Sequence, residues 1–417
     1  MEYKIPVIIR NLILKFLPSK YEPNVITLKR IQRNEGKLKR LIPDFGTCSK
    51  EDVKSILEKI ASEMSSHTLT LKKYKLRYDG KSASAVIEIK LESGENFIVK
   101  FVEFKNIIDV IAETTSLMKL QTFKSTKDST AKLVCLGKCQ IDSQPFYVIV
   151  QTYLNGISLG DLLSRIAYED HYTLVREKML NEAIDAFTSL GTVLGGFHLE
   201  HSEQRSDFAG SRFITIISND LKKFILKVKS IKNIGIDVNA LELLVKTQLL
   251  EIHKLHLKTG YMFLDPHFGN ILWDKNTETG VVYLIDSGTC FYSFCNMEVG
   301  CGIPEFDVFL INNIFFKLRK NKLLYGSGKI LRSDEIDKLK SGFSKGYSII
   351  RDYKITKQQA SFFTLLQVSW YMNWFLDEKF CNSTLSDIDD VDKKRWISVN
   401  FYLNKLRKLL FQKQIKK

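Results

Sequence analysis

The sequence predicts an α+β fold of two lobes: a small N-terminal lobe with an antiparallel sheet and a larger, mainly helical C-terminal lobe. Stretches rich in β-branched and aromatic residues lie between residues 69 and 154, whereas apolar residues recur at helical spacing from about residue 160. One connector, "QTYLNGISL", joins the halves, as in two lobes around a hinge. We expect a basic helical N-terminal extension, a sheet lobe and a helical lobe, at residues 1–65, 66–154 and 155–417.

The elements of the sheet lobe follow from local patterns. "KEDVKSILEKIASEM" predicts a helix, and "AVIEIKLES" and "NFIVKFVEF" predict two strands joined by the Gly-containing turn "ESGEN". "NIIDVIAETTSLMKLQTF" is apolar at helical spacing, and "KLVCLGKCQ" and "QPFYVIVQTYL" predict two more strands. Strand alternation places Phe97 and Val99 on one face, with Ile98 and Lys100 on the other.

The second lobe is predicted to be helical with one β insertion. "EAIDAFTSLGTVLGGFHLEH" is a long helix with an apolar stripe, and helical patterns return through residues 305–417. Between them, "ILWD" and "VVYLIDSG" predict two strands joined by the turn "KNTETG". The insertion therefore presents two loops to the rest of the lobe.

Composition limits the class of protein. A formal charge of +15 suits nucleic acid, anionic lipid or phosphate-rich substrates, but no nucleic-acid-binding module is recognisable, so nucleic acid is disfavoured. No apolar run is long enough to cross a membrane, and the N-terminus lacks a secretory cleavage site. The seven cysteines include no CxxC pair, which disfavours a zinc site. We expect a cytoplasmic protein.

The loop "FLDPHFGNILWD" carries a candidate catalytic pair. A carboxylate such as Asp265, at the head of a loop, can align a hydroxyl or accept its proton. The amide oxygen of Asn270, five residues later, can coordinate a hard cation. The following hairpin delivers Asp286 close to Asn270, which predicts a Mg²⁺ clamp made of one amide and one carboxylate.

The sheet lobe supplies candidate phosphate contacts. "YDGKSASAVIEI" places Gly80 and Ser82 before a strand, where small residues let backbone N–H groups approach phosphate oxygens. The tetrapeptide "DGKS" is not a Walker A loop, because Lys75 stands where that motif needs Gly and a strand follows instead of a helix. An inward Lys100 needs a partner, for which Glu113 in the next helix is the candidate.

These pieces resemble the aminoglycoside phosphotransferase and choline kinase group of the protein-kinase-like superfamily. "FLDPHFGN" is similar to that family's catalytic loop H-G-D-x-H-x-x-N at Asp265, His267 and Asn270, and "LIDSG" is similar to its metal-binding segment. "LGTVLGGFHLE", with His198, and "IPEFDVF", with Asp307, resemble two later family segments, the second usually structural. The resemblance covers about residues 70–310 in the family's order.

The resemblance implies a protein-kinase-like fold and ATP with Mg²⁺ as cofactors. Asp265 would be the catalytic carboxylate, and Asn270 and Asp286 would hold the metal. The remaining implied nucleotide contacts are Gly80, Ser82, Lys100, Glu113, Gln151 and Tyr153, the last two marking the segment whose backbone faces adenine. His267 is interpreted as a hydrogen-bonded support of the loop.

Three alternatives follow from departures and from composition. Phe263-Leu264 replaces the family's His-Gly, and the phosphate loop has one Gly, which leaves a nucleotide-binding pseudokinase scaffold as an alternative. The same residues could serve an atypical protein kinase of effector or UbiB-like type, although the K-x-G-Q signature of the latter is absent. A basic protein that only binds membrane surfaces is the third.

The acceptor is the least constrained part of the prediction. We expect a small-molecule or glycan acceptor, with a lipid-linked sugar favoured by the basic ends of the chain. "FYLNKLRKLLF" predicts a C-terminal helix with Phe401, Leu406, Leu409 and Leu410 on one side and basic residues beside them. Such a helix either lies on an anionic membrane surface or packs on the helical lobe.

Overall fold

The computed structural model describes most of the chain, namely residues 5, 7–15, 24–64, 70–78, 85–169, 173–202, 212–230, 235–255, 257, 260–276, 280–289, 303–321, 331–351, 354–375 and 390–414. It is an α+β structure, with a curled sheet in the first half and mostly helices in the remainder. The predicted class and element order are confirmed. The phosphate-loop candidates Gly80 and Ser82 lie outside the described residues.

A six-stranded sheet organises the N-terminal half. Its strands are β1 (Asp44–Cys48), β2 (Leu71–Tyr78), β3 (Ala85–Leu91), β4 (Asn96–Glu103), β5 (Leu133–Ile141) and β6 (Gln144–Thr152). They lie in the order β1-β5-β6-β4-β3-β2. The pairings are antiparallel except that β1 runs parallel to β5. The segment assigned by sequence to a helical extension thus contributes a strand, and the sheet is mixed, not purely antiparallel.

The sheet lies between two helices. α3 (Val53–Glu63) covers one face, where its apolar side chains share a core with Phe97 and Val99. α4 (Ile107–Leu120) covers the opposite face, towards which Lys100 points. The predicted alternation along β4 is confirmed, and it leaves one cationic side chain on the face that α4 covers.

Two further helices, α1 (Val7–Lys15) and α2 (Asn24–Leu41), precede the sheet. Glu35 of α2 accepts a hydrogen bond from the Tyr147 hydroxyl at 3.0 Å. The buried side chains of α1 belong to the same core as α4, and they are Ile9, Leu12 and Ile13. The N-terminal helices therefore support α4 from outside the sheet.

A short connector leads from the sheet to the helical half. It contains β7 (Ile157–Ser158) and α5 (Leu159–Tyr168). β7 pairs with β8 (Ile271–Asp274), which pairs with β9 (Val281–Leu284), all antiparallel. Gly156 has a φ of +135°, and a Cβ there would lie 2.7 Å from the Trp273 carbonyl oxygen, so the connector needs glycine to approach β8.

Helices form the remainder of the described chain. They are α6 (Leu174–Ser202), α7 (Arg212–Ser230), α8 (Val238–Leu250), α9 (Pro304–Asn321), α10 (Ser333–Ile350), α11 (Lys357–Phe375) and α12 (Asp390–Gln414). α6 packs closely against α10, and both join the core that reaches α4. α7, α8, α11 and α12 enclose a second core. The buried apolar side chains of β8 and β9 belong to the core that reaches α4.

The C-terminal helix packs on the protein. Tyr402, Leu406 and Leu410 of α12 are buried in the second core. That apolar face is used within the protein, so of the two alternatives for this helix the structure shows packing on the helical lobe. Within the described ranges, the helices are each too short or too polar to cross a bilayer.

Candidate active site

Lys100 and Glu113 form a buried ion pair between the sheet and α4. The Lys100 ammonium donates a hydrogen bond to Glu113 Oε1, and their side chains are 12% and 10% exposed. Asp286 Oδ1 lies 3.8 Å from the same ammonium. The neighbouring elements β4 and α4 therefore meet the segment after β9, which is distant in sequence, at one cation.

The charge on Lys100 is stabilised by its two carboxylate neighbours. Burial by itself lowers the pKa of a lysine, but Glu113 and Asp286 outweigh it and raise the pKa of Lys100. Asp109 lies one turn before Glu113 on α4, and burial, with the charge of Asp286, raises the pKa of its carboxyl group. Lys100 is consequently a permanent cation beside a group of carboxylates.

The backbone that leads to Asp265 is anchored in both cores. Tyr261 and Phe263 are buried in the core shared with α4, whereas Met262 and Leu264 are buried in the core of α7, α8, α11 and α12. Alternate side chains thus hold the segment from opposite sides. This anchoring fixes the position of Asp265 at the head of the loop.

Asp307 of α9 holds the same segment by its backbone. Its carboxylate accepts hydrogen bonds from the amides of Phe263 at 2.5 Å and Leu264 at 2.8 Å. Leu264 has a φ of +72°, a left-handed conformation unusual for a branched side chain. Glycine adopts this conformation without steric cost, so a Leu at this position carries a strain that a Gly would not.

A buried network supports Asp307. His198 Nε2 lies 3.1 Å from Asp307 Oδ2, and its Nδ1 lies 2.8 Å from the Tyr347 hydroxyl. Because a carboxylate only accepts, Nε2 carries the hydrogen in this contact. Arg351 donates to the His198 carbonyl oxygen at 3.1 Å and pairs with Glu305 at 2.6 Å. The network joins α6, α9 and α10 beneath the loop.

Within the loop, Asn270 is oriented by Asp265. The Asn270 amide nitrogen donates to Asp265 Oδ2 and to the Asp265 carbonyl oxygen, both at 3.3 Å. His267 Nδ1 accepts from the Gly269 amide at 3.1 Å, as expected of a hydrogen-bonded support. Burial raises the pKa of Asp265; His267 opposes this increase and Asp286 adds to it. Asp265 is thus a stronger proton acceptor than an ordinary exposed aspartate.

The hairpin brings Asp286 next to Asn270. The Ile285 amide donates to the Asn270 carbonyl oxygen at 2.9 Å, immediately beyond the β8–β9 pairing. Asp286 then takes a φ of +54°, and Gly288 lies beside α4, where a Cβ would be in ordinary van der Waals contact with the Glu113 backbone at 3.9 Å. The structure therefore brings the two predicted metal-binding residues together and packs the segment after them on α4.

The predicted adenine-facing segment lies at the end of β6. Gln151 is 6% exposed, and its side-chain oxygen has no hydrogen-bond partner among the described residues. Strand register places it opposite Ile98, on the sheet face of Lys100. The Tyr153 amide donates to the Asn96 carbonyl oxygen at 3.2 Å, so that amide is already engaged. Contact of either residue with adenine stays a prediction.

The side chains of the loop and the hairpin suit one kind of metal site. In the described ranges, no group of three or more His, Cys, Asp or Glu side chains converges in a way that could hold one. Mg²⁺, however, takes one or two protein oxygens and completes its shell with water and substrate phosphates. Asn270 and Asp286 supply that number and type of ligand, and the Asn270 nitrogen faces Asp265, which leaves its oxygen for a cation. The residues fit Mg²⁺ bound together with a nucleotide.

Two polar groups of the site are absent from the sequence prediction. Asp109 faces Asp286 from α4, and the signal that could have found it is its four-residue spacing from Glu113, which puts both on one helix face. The Ser287 hydroxyl is buried, with no hydrogen-bond partner in the described structure. No local pattern distinguishes Ser287 from an ordinary turn residue.

No protein-family model and no curated protein matches the sequence. Among solved structures, the chain is similar to a spectinomycin phosphotransferase in complex with ADP and spectinomycin, with 14% identity, 85% of this chain and 97% of that chain covered, and a TM-score of 0.44. It is also similar to ethanolamine kinase from Plasmodium vivax, with 14% identity, 98% of this chain and 95% of that chain covered, and a TM-score of 0.46. A third similar structure is an ADP-bound aminoglycoside phosphotransferase, with 11% identity, 87% of this chain and 99% of that chain covered, and a TM-score of 0.46.

Proposed function

We propose that the chain is a phosphotransferase that moves the γ-phosphate of ATP to a hydroxyl group of a small-molecule or glycan acceptor. The proposal rests on one observation: Asp286 lies beside the Lys100–Glu113 ion pair. The backbone hydrogen bond from Ile285 to Asn270 connects the segment of Asp286 to the loop that carries Asp265 and Asn270. Phosphoryl transfer needs a cation on the phosphates, oxygen ligands for a metal and a carboxylate for the hydroxyl. Lys100 on β4 supplies the cation, Asp286 after β9 supplies one oxygen ligand, and the loop of Asp265 and Asn270 supplies the carboxylate and the second ligand.

Asp265 acts on the acceptor in the proposed reaction. The acceptor oxygen forms a bond to the γ-phosphorus, the bond from that phosphorus to the bridging oxygen of ADP breaks, and the hydroxyl proton passes to Asp265. The raised pKa of Asp265 suits this proton transfer. Lys100, held by Glu113, contacts the phosphate oxygens and remains charged because of its carboxylate neighbours.

Asn270 and Asp286 would hold Mg²⁺ through their side-chain oxygens. When bound, the ion supplies positive charge to the phosphate oxygens of the nucleotide. Asp265 orients Asn270 for this role, and the Ile285 amide holds the two metal-binding residues at one place. The loop and the hairpin thus act as one unit.

Substitution of Asp265 by Asn tests the proposal. The variant should lose acceptor-dependent ADP formation by about 100-fold or more, the scale of general-base catalysis, because an amide cannot take the proton. Mg-ATP binding should persist. Asp128→Asn, at an exposed turn before β5, is the matched control and should keep full activity. Full activity of Asp265→Asn would refute the role.

The alternatives give different outcomes in the same assay. A pseudokinase scaffold would bind Mg-ATP without forming ADP on any acceptor. An atypical protein kinase would label itself or a protein mixture and leave small hydroxyl compounds unchanged. A protein that only binds membranes would show neither nucleotide binding nor turnover.

We place any contact with an anionic membrane at α1, where Val7 and Ile8 are exposed beside Arg10. In a co-sedimentation assay with anionic vesicles, an Ile8→Asp variant should then bind less than the wild type.

A further inference from the structure

Two partly buried lysines of the helical lobe have no carboxylate partner in the part of the chain that the structure describes. Lys317 of α9 donates to the Tyr402 hydroxyl at 2.8 Å. Lys405 of α12 donates to side-chain oxygens of Asn313 at 3.1 Å and Gln367 at 3.2 Å. Among the described residues, no Asp or Glu oxygen pairs with either ammonium. Partly buried cations normally have an anionic partner, because removing a charge from water is costly.

Aromatic rings surround the two ammonium groups. Lys317 Nζ lies 4.9 Å from the ring centre of Tyr402, 5.1 Å from that of Phe401 and 5.5 Å from that of Tyr371. Lys405 Nζ lies 5.1 Å from the Phe401 ring centre. Cation–π contacts offset part of the cost of removing the lysines from water. They do not neutralise either charge.

Burial weakens the protonation of both lysines. Burial lowers the pKa of Lys317 to about 8. Burial and the charge of Lys317 lower the pKa of Lys405 to about 8. The titratable groups that face the pair from α11 and α12 are the phenols of Tyr371 and Tyr402, whose pKa values burial raises, so both are neutral. An anion between the lysines would stabilise their charged forms.

The lysine pair is connected to the candidate catalytic loop. Tyr371 stacks on Tyr402 with ring centres 4.1 Å apart, and Tyr402 accepts from Lys317. Burial raises the pKa of Tyr371, and the charge of Asp265 raises it further, so the phenol lies within electrostatic reach of Asp265. Leu264, the residue before Asp265, is buried in the same core as Tyr402, so the lysine pair lies beside the core that anchors the head of the loop.

We propose that Lys317 and Lys405 bind a phosphate group of the acceptor, so that the acceptor is a small hydroxyl compound that already carries a phosphate monoester. Two ammonium groups match the two negative charges of such an ester. The amides of Asn313 and Gln367 hold Lys405 without competing for its charge. A polycationic acceptor, by contrast, would meet two like charges. The assignment of the phosphate to an acceptor rests on the proposed phosphotransferase function.

Titration with inorganic phosphate, followed by calorimetry in a phosphate-free buffer, tests the site. The wild type should bind phosphate saturably, and Lys317→Met and Lys405→Met should each weaken binding by about tenfold, because each loses a charge-assisted hydrogen bond. Lys408→Met, exposed on the same helix, removes the same formal charge and should bind as the wild type does. Equal affinity of Lys317→Met and wild type would overturn the proposal.

A Lys100→Met variant separates this site from the nucleotide phosphates. Phosphate binding that persists in Lys100→Met and is lost in Lys317→Met belongs to the lysine pair. Binding that is lost in Lys100→Met and unchanged in Lys317→Met would refute the pair as a phosphate site. The titration needs neither nucleotide nor turnover. The phosphate site can therefore be refuted while the proposed function holds, and the proposed function can be refuted while the phosphate site holds. Acetate should bind more weakly than phosphate, and tighter acetate binding would contradict a phosphate ester.

The pH dependence gives a second readout. Above pH about 8 a phosphate is already dianionic, so further changes in affinity report the protein. Wild-type affinity should fall as pH rises through about 8, where Lys317 and Lys405 lose their charge. Lys317→Arg stays charged and should retain more of its affinity at high pH. Unchanged wild-type affinity across this range would contradict the assignment.

Discussion

Single residues explain how this loop departs from similar motifs. Leu264 takes a left-handed backbone conformation, which costs a non-glycine residue of order 1–3 kcal/mol. Its side chain is 5% exposed in the second core, and burying a leucine contributes about 1.5–3 kcal/mol. The two effects are of similar size. Leucine is therefore compatible with the turn that delivers Asp265, and the departure does not by itself indicate an inactive loop.

The ion pair at Lys100 gives a prediction at the same scale. Lys100→Met should lower the free energy of unfolding by about 3–5 kcal/mol, because it leaves Glu113 buried without its cation. Adding Glu113→Gln should recover part of that loss in chemical denaturation and restore no nucleotide binding. Lys105→Met, whose partner Glu103 is exposed, is the control and should change little. A double variant as unstable as Lys100→Met would show that the pair is not the cause.

At the scale of elements, α9 holds the loop through Asp307. Asp307→Asn keeps the size of the side chain but turns one acceptor into a donor that faces a backbone amide. We expect a loss of about 2–4 kcal/mol in the free energy of unfolding, since two buried amides share the damaged acceptor. Activity should also fall, because a displacement of about 1 Å at Asp265 can cost on the order of 100-fold.

Asp337→Asn is the control for this prediction. Asp337 pairs with Arg319 on the exposed surface between α9 and α10, and its substitution should leave both quantities unchanged. Denaturant unfolding and ADP formation measured on the two variants separate support of the loop from a general effect of charge. Equal behaviour of the two variants would contradict the role of Asp307.

Element patterns show what sequence reasoning could reach. The alternation along β4 predicts the side of the sheet on which Lys100 lies, and the hairpin after Asn270 predicts the approach of Asp286. β1 was missed because its five residues contain no strong strand pattern. Its parallel partner β5 is also distant in sequence, since the first residues of the two strands, Asp44 and Leu133, are 89 positions apart. The lysine pair was missed because Lys317 and Lys405 lie on two different helices, α9 and α12, with no spacing that marks them as neighbours.

At the scale of the whole molecule, the N-terminal helices take part in positioning the site. α1 shares a core with α4, and α4 carries Glu113. Because Glu113 holds Lys100, the position of the Lys100 side chain also depends on the buried residues of α1, the first of which is Ile9. The predicted boundary of the sheet lobe at residue 66 does not follow this packing, because β1 and α3 also contact the sheet.

Ile13→Ala tests this support. Ile13 is fully buried, and its truncation should cost about 2–5 kcal/mol in the free energy of unfolding and weaken Mg-ATP binding by loosening α4. Ile8→Ala, on the same helix with 59% exposure, should change neither quantity. Differential scanning fluorimetry with and without nucleotide measures both. If Ile13→Ala is destabilised but binds Mg-ATP as tightly as the wild type, α1 does not help to position the nucleotide site.

The most direct test of the nucleotide site is the thermal shift produced by ATP, with and without Mg²⁺, in wild type and Asp286→Ala. We predict that Mg-ATP stabilises the wild type, by about 2.7 kcal/mol at a ligand concentration 100-fold above Kd. The stabilisation should fall sharply without Mg²⁺ and in Asp286→Ala. A wild type that Mg-ATP does not stabilise, or an Asp286→Ala variant stabilised equally, would contradict the account.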